Sequence, residues 1–224
     1  SYLKRCLDAL VLQIHDNEVG VVIIDNASTD DTSTLIRQYA HHPFIRTFVE
    51  MTPGLSHARN RGWKESQADW ILYIDDDCLP RVGFVNNALA IIVNQPSEIA
   101  IGGPIYPIFE GNPPEWLQQG FGQFTMPFHE YTTISKGYIR GGCMMIKRNF
   151  LEKIGGFNVS FGVSGKKLRY GEEIELQERI KEQGGTVAYA PSLAIDHFVR
   201  PEKISTAWIL HSEFARRRDK MKIA

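Results

Sequence analysis

Two short apolar runs, each stopped by acidic residues, constrain what this chain can fold into more than any other feature. Val19–Ile24 ends in Asp25-Asn26-Ala27-Ser28-Thr29-Asp30, and Trp70-Ile71-Leu72-Tyr73-Ile74 ends in Asp75-Asp76-Asp77. Runs this short, β-prone and nearly free of charge, read as buried strands. Ser28 to Asp31 supply N-cap chemistry for a helix over Thr34–Tyr39, Phe44–Val49 reads as a strand, and Ser56–Gln67 as a helix. Phe84–Val93 and Ile99–Gly102 add another helix and strand, and Leu3, Cys6, Leu7, Leu10 and Ile14 place an amphipathic helix at the start. Strands alternating with helices of this length predict an α/β domain, a mostly parallel central sheet with helices on both faces.

The pattern changes near Gly103. Residues 104–137 are rich in Pro, Gly and aromatics, with one short helix expected around Glu115–Gln119. A long irregular stretch inside a compact domain is usually a lid, a binding loop or disordered. Strand character returns over Ile139–Lys147, a Gly-rich stretch follows over 155–171, and a helix covers about 172–183 before Gly184-Gly185. Val187–Ala190 and Leu193–Asp196 read as short strands, and a last helix begins near Lys203. The expected division is 1–103 for a nucleotide-handling α/β half, 104–200 for a smaller, looser mixed half, and 201–224 for a C-terminal amphipathic, basic helix.

The 224-residue chain is 43% hydrophobic and has a net charge of -1, which speaks against nucleic acid as a partner. Cys6, Cys78 and Cys143 are widely spaced and odd in number, the pattern of buried thiols and not of a disulfide framework or zinc site. No apolar run reaches membrane-spanning length, and a cytoplasmic location is expected. A P-loop is excluded because G-x-x-x-x-G-K-[ST] is absent, and no G-x-G-x-x-G follows a strand.

The triplet Asp75-Asp76-Asp77 carries the chemistry. Three adjacent carboxylates repel one another unless a cation sits among them. In open α/β sheets ligands bind beyond the carboxyl ends of strands. A divalent metal holding a diphosphate satisfies both conditions, while a solvated acidic turn is the plainer alternative. Asp25 stands at a second strand end, where it can accept from a ribose hydroxyl or a base N–H. Gly54–Gly62 (G-L-S-H-A-R-N-R-G) enters a helix carrying Arg59 and Arg61, residues suited to phosphate or a base edge but also common on surfaces. Gly141-Gly142, before the strand Cys143–Ile146, suggest a bulge or a ligand lying against the backbone. Glu172 and Glu173 open a helix, either as dipole partners or with one of them turned into a cleft as a general base. His197 ends a strand, and neutral imidazole complements carboxylate and phosphate oxygens around Mn²⁺ or Mg²⁺.

In order along the chain, the opening helix Leu3–Gln13, V-V-I-I-D-N-A-S-T-D, G-L-S-H-A-R-N-R-G, Y-I-D-D-D, R-G-G at 140–142, L-E-K-I-G-G-F-N at 151–158, G-E-E-I-E-L at 171–176 and His197 resemble family 2 glycosyltransferases of the GT-A fold. The resemblance implies a Rossmann-like single domain that moves a sugar, with inversion, from a nucleotide diphosphate to an acceptor hydroxyl. It implies that Asp25 and Arg59 contact base or ribose, that Asp75 meets the ribose side of the donor, and that Asp77 and His197 ligate Mn²⁺ or Mg²⁺ on the diphosphate. Asp76, Gly141 and Gly142 fall in the same donor-binding set. The family's Glu-Asp base motif falls on Glu172-Glu173 and puts the base at Glu173, here a Glu where Asp is usual, so Glu172 stays an alternative. A UDP-sugar donor and a saccharide or lipid-linked acceptor follow by the same analogy, as does a role in polysaccharide or glycolipid synthesis.

The family ordinarily begins with a central strand that this sequence lacks, so about 15–20 further residues are expected ahead of Ser1. Residues 203–224 combine Ile204, Trp208, Ile209 and Phe214 with Arg216-Arg217-Arg218, Lys220 and Lys222. Such a segment either docks on the core or rests on an anionic membrane at its cytoplasmic face. Rival readings are a metal-dependent nucleotidyltransferase, a haloacid-dehalogenase-type phosphatase (which would want Thr or Val where Leu79 stands) and a non-catalytic nucleotide-sugar-binding module.

Overall fold

The computed structural model describes residues 1–14, 19–94, 97–165 and 167–223; Lys166 of the Gly-rich stretch and Ala224 of the tail lie outside them. The chain begins with α1 (Tyr2–Val11), β1 (Val21–Asp25), α2 (Thr32–Arg37), β2 (Ile45–Val49) and α3 (Leu55–Glu65). Next come β3 (Trp70–Ile74), β4 (Cys78–Pro80), α4 (Phe84–Asn94), β5 (Ala100–Gly102), β6 (Ile105–Phe109) and β7 (Thr132–Ile134). The remainder is β8 (Cys143–Lys147), α5 (Arg148–Ile154), α6 (Glu172–Glu182), β9 (Val187–Tyr189), β10 (Ile195–Val199), a 3-10 turn over Pro201–Ile204 and α7 (Thr206–Lys220).

The largest sheet runs β3-β8-β5-β9-β7, and β8 explains how its layers form. Cys143 through Ile146 are fully buried, so the strand is apolar on both faces. Met144 and Ile146 pack with Leu176 and Ile180 of α6, whereas Cys143 and Met145 pack with Phe84, Val85 and Ala88 of α4. Side chains that alternate along one strand thus serve two helical layers. The sheet is mixed and not mostly parallel: β8 runs antiparallel to both β3 and β5, β7 is antiparallel to β9, and only β5–β9 is parallel. The reason lies in the long 104–137 stretch, which returns the chain to the sheet without a βαβ crossover.

That stretch is more ordered than its composition predicts, since β6 pairs with β10 in parallel and β7 closes the edge of the large sheet. The helix expected around Glu115–Gln119 is instead a series of turns. A strand expected from Ile139 starts only at Cys143, and the one expected over Leu193–Asp196 is shifted to Ile195–Val199. Cys6, Cys78 and Cys143 are buried free thiols, and burial pushes Cys6 and Cys143 up to about 12.

β1 and β2 form a separate parallel pair whose small core joins Leu7 of α1, Ile36 of α2, Ile23 and Ile45. β1 does not pair with β3. The free edges of both strands face a cavity of about 1740 Å³, which is continuous with the cleft over their acidic ends. α3 spans the seam: Gly62 lies against Ile24 of β1, while Arg59 reaches the end of β3.

Candidate active site

The acidic tips of β1 and β3 open into that cleft from one end, as strand polarity requires, but their carboxylates are differently engaged. Asp25 is buried and accepts from the Ser28 N–H at 3.0 Å and from the Ser33 hydroxyl. Burial opposes its charge, yet the hydrogen bonds from Ser28 and Ser33 hold its carboxyl below the ordinary value. Asp25 therefore shapes the turn in which Ala27 takes a left-handed φ of 52°. Asp30 accepts from the Thr32 N–H at 3.1 Å and serves that turn too. Neighbouring Asn26, which the sequence reading passed over, donates to the Glu50 and Thr52 carbonyls and accepts from the Gly54 N–H at 2.7 Å. It fixes the entrance of α3 against the end of β1.

Arg59 sits at the centre of the site. It is 6% exposed, and its Nη1 donates to Glu172 at 2.8 Å while Nη2 donates to Asp75 at 3.1 Å. The Tyr73 and Phe157 rings lie 6.0 and 5.5 Å from its guanidinium carbon. Burial works against its charge, but the Asp75, Glu172 and Glu173 carboxylates more than offset it and raise the pKa. Arg59 thus joins the carboxylate following β3 to the acid at the head of α6. Gly141 and Gly142 are the floor beneath this pair. A Cβ on Gly141 would fall 2.6 Å from Arg59 Nη1, and one on Gly142 would fall 2.8 Å from Asp75 Oδ2. The glycines admit a close approach, and what approaches is the chain's own ion pair.

The Gly171 backbone, at φ 96°, turns α6 inward so that Glu172 and Glu173 are both buried. Glu172 is held by Arg59, and Glu173 has Arg140 at 3.6 Å. Burial, and after it the Glu173 carboxylate, pushes Glu172 up to about 7 against the pull of Arg59.

A second cluster surrounds Asp77. β10 runs antiparallel to β4 with His197 opposite Cys78, and the Phe198 N–H donates to the Asp77 carbonyl at 2.8 Å. His197 Nε2 consequently lies 3.3 Å from Asp77 Oδ1. Lys203 Nζ donates to Asp77 Oδ2 at 3.0 Å, with Arg200 Nε 3.7 Å from the same oxygen and Arg200 Nη2 3.4 Å from Asp76. Burial opposes the Asp77 charge, but His197 and Lys203 hold its carboxyl well below the ordinary range. Arg200 and Lys203 also went unnoticed in the sequence. Their signal was two cations spaced three apart, directly after the terminal His. Asp77 and His197 form a convergent carboxylate–imidazole set that fits Mn²⁺ or Mg²⁺, which complete their shells with substrate phosphates and water. Among the described residues, no three His, Cys, Asp or Glu side chains gather as a preformed cage.

Of the residues singled out in the sequence, Arg59, Asp75 to Asp77, Gly141, Gly142, Glu172, Glu173 and His197 line the one cleft, whereas Asp25 does not. Beyond it, α7 docks through Asp219, whose buried carboxylate accepts from the Tyr170 N–H at 3.1 Å and from Arg218 and Lys222. Leu210 and Phe214 of α7 remain exposed. Among the described residues, no helix is long and apolar enough to cross a membrane.

Comparisons with known proteins agree with this architecture. The chain is 24% identical to the glucosyl-dolichyl phosphate glucuronosyltransferase of Haloferax volcanii over 173 residues, covering 72% of this chain and 53% of that protein. It is 24% identical to the succinoglycan biosynthesis protein ExoM of Rhizobium meliloti over 197 residues, covering 87% and 61%. The chain thus spans between half and two thirds of these relatives' length. The solved structure of the mannosyltransferase PcManGT from Pyrobaculum calidifontis, in complex with GDP-Man and Mn2+, superimposes with a TM-score of 0.66 at 20% identity, covering 96% of this chain and 60% of that one. Such neighbours make the fold that of the GT-A glycosyltransferases. The family model described as Glycosyl transferase family 2 matches residues 1–155, and the chain belongs to that family.

Proposed function

We propose that this chain transfers a sugar, with inversion, from a nucleotide diphosphate to an acceptor hydroxyl, in the assembly of a polysaccharide or a lipid-linked glycan. The observation that carries the reading is that the Asp77–His197 pair and the Glu172–Glu173 pair line one cleft, with Arg59 and Asp75 between them. Nucleotide sugars in solved relatives support the donor class: GDP-Man in the mannosyltransferase, and UDP-GlcNAc in the structure of S. aureus TarS. A UDP-sugar is the donor we favour, and the cleft between the ends of β1 and β3 is its site. The dolichyl phosphate in one relative's name supports a lipid-linked acceptor.

Asp77 and His197 would hold Mn²⁺ or Mg²⁺. A divalent cation there supplies charge neutralisation for the departing diphosphate, worth several kcal/mol. Glu173 is the base, because Glu172 is committed to Arg59 at 2.8 Å whereas Glu173 has only the partly exposed Arg140 at 3.6 Å. Its carboxylate takes the acceptor's hydroxyl proton as the hydroxyl oxygen bonds to the anomeric carbon. The bond from that carbon to the diphosphate breaks, and its electron pair leaves with the phosphate oxygen. General-base assistance of this kind is worth about 10²–10⁴-fold. Arg59 keeps Asp75 and Glu172 in register, so that the donor and acceptor ends of the site are set relative to one another.

Product analysis with a panel of nucleotide sugars, acceptors and Mn²⁺ tests the reading. Glu173→Gln should lose transfer while keeping nucleotide binding, and Asp77→Ala should lose both. Full turnover in either variant refutes the assignment, and nucleotide or phosphate release without sugar transfer favours the nucleotidyltransferase or phosphatase reading.

A further inference from the structure

Arg200 and Lys203 stand outside the roles above, and their placement is unusual for surface cations. Both project from the short solvent-facing turn after β10, and both reach back to the tip that follows β3. Lys203 meets an Asp77 side chain that is only 8% exposed, and Arg200 bridges Asp76 and Asp77. The Arg200 Nε, which faces Asp77 Oδ2 at 3.7 Å, is buried without a hydrogen-bond partner, a donor that the carboxylate does not satisfy. The charge count is equally specific. Two monovalent cations lie on two carboxylates, and the +2 they bring is the charge of one divalent ion.

From this we infer that Arg200 and Lys203 form a clamp borne by the chain. It occupies the Asp76–Asp77 carboxylates when no divalent cation is bound, and turns onto the donor's diphosphate when one is. The inference rests on the donor-site reading above and deepens it. A divalent ion at Asp77 displaces both side chains from the carboxylate by like-charge repulsion. The displaced guanidinium and ammonium then face the added phosphate oxygens, and a guanidinium fork suits those better than a single carboxylate oxygen. The short turn beginning at Pro201 lets the pair reorient without unpairing β10, whose ladder to β6 ends at Val199.

The clamp makes a prediction of opposite signs for two ligands, which a merely structural role would not. Lys203→Met should bind Mn²⁺ alone more tightly, by about tenfold, because a competing cation has left Asp77. The same variant should bind inorganic pyrophosphate at saturating Mg²⁺ more weakly, again by about tenfold. Arg200→Gln should shift both in the same directions, and Lys203→Arg should restore pyrophosphate binding. Titration calorimetry on the full chain reads both constants, and a cooperative thermal transition in each variant establishes that it is folded. Mn²⁺ affinity that falls or stays unchanged in both Lys203→Met and Arg200→Gln overturns the clamp, as does unchanged pyrophosphate affinity. If the wild-type chain binds neither Mn²⁺ nor Mg²⁺–pyrophosphate, the donor-site reading falls and the clamp falls with it. If it binds both but the variants do not show the opposed shifts, the clamp alone is wrong.

Discussion

Replacing Arg59 by Met tests whether the site's two halves are held by charge. Met preserves a long apolar stem between the Tyr73 and Phe157 rings but removes both donors. Glu172, 8% exposed on its side chain, is then left without its cation, whereas Asp75 at 37% can turn to water. Breaking a buried pair from one side costs about 3–5 kcal/mol. For a chain of this size each kcal/mol lowers Tm by about 2–4 °C, so the drop should be about 6–20 °C. The loss should depend on pH in a defined direction. Glu172 is raised in the folded state from 4.5 to about 7, so its contribution to stability is fully present below about 4.5 and is lost as pH rises through about 7. That wild-type loss amounts to about 3 kcal/mol. Without Arg59 the folded pKa rises further, so the variant's deficit should be larger at pH 8 than at pH 5. The double variant R59M/E172Q should recover most of the stability, because no uncompensated charge remains. Chemical denaturation at both pH values reads all three quantities. A variant as stable as wild type at pH 8, or a double variant no better than R59M, would show that Arg59 is not a structural bridge.

Three further outcomes can be checked more briefly. Gly141→Ala should push the Arg59 guanidinium off its seat and weaken donor binding more than it lowers Tm, as measured by nucleotide-sugar titration beside a thermal melt; unchanged binding would remove Gly141 from the site's support. Asp219→Asn should cost about 2–3 kcal/mol, since hydrogen bonds to a buried charged group are lost. The corresponding fall in Tm is about 4–12 °C. Because Asp219 anchors Tyr170, two residues before Glu172, transfer should fall as well. Leu210 and Phe214, exposed beside Arg217 on α7, should carry the chain onto vesicles containing anionic lipid, and Leu210→Ser/Phe214→Ser should abolish co-sedimentation; equal sedimentation with neutral vesicles would show that charge plays no part.

Much of the scaffold was legible because its elements follow local rules. β3 occupies Trp70–Ile74 as its composition predicts, and α4 and α6 lie within a residue or two of their expected bounds. What escaped was structure made by tertiary partners. β4 and β7 have three residues each, too few to carry a periodicity, and β6 contains Pro107. The site behaved in the same way. Strand-end acids announced themselves, since a carboxylate after an apolar run has few explanations. Arg59 suggested a ligand contact and is found bonded to two of the chain's own acids, because sequence spacing does not reveal that Asp75 and Glu172 converge on it. Arg200 and Lys203 were hidden by the basic tail that follows them.

Strand β8, buried on both faces, has a consequence for how the molecule opens. Neither the α4 layer nor the α6 layer can leave the large sheet without baring apolar side chains of that one strand. Its amides should therefore be among the last to exchange, and their protection reports global unfolding. Cys143 of β8 pairs with Ile74 of β3, so the floor glycines and the Asp75–Asp77 tip emerge side by side from the most protected part of the fold. Opening of the 104–137 segment would then loosen the rim of the cleft while leaving its floor in place.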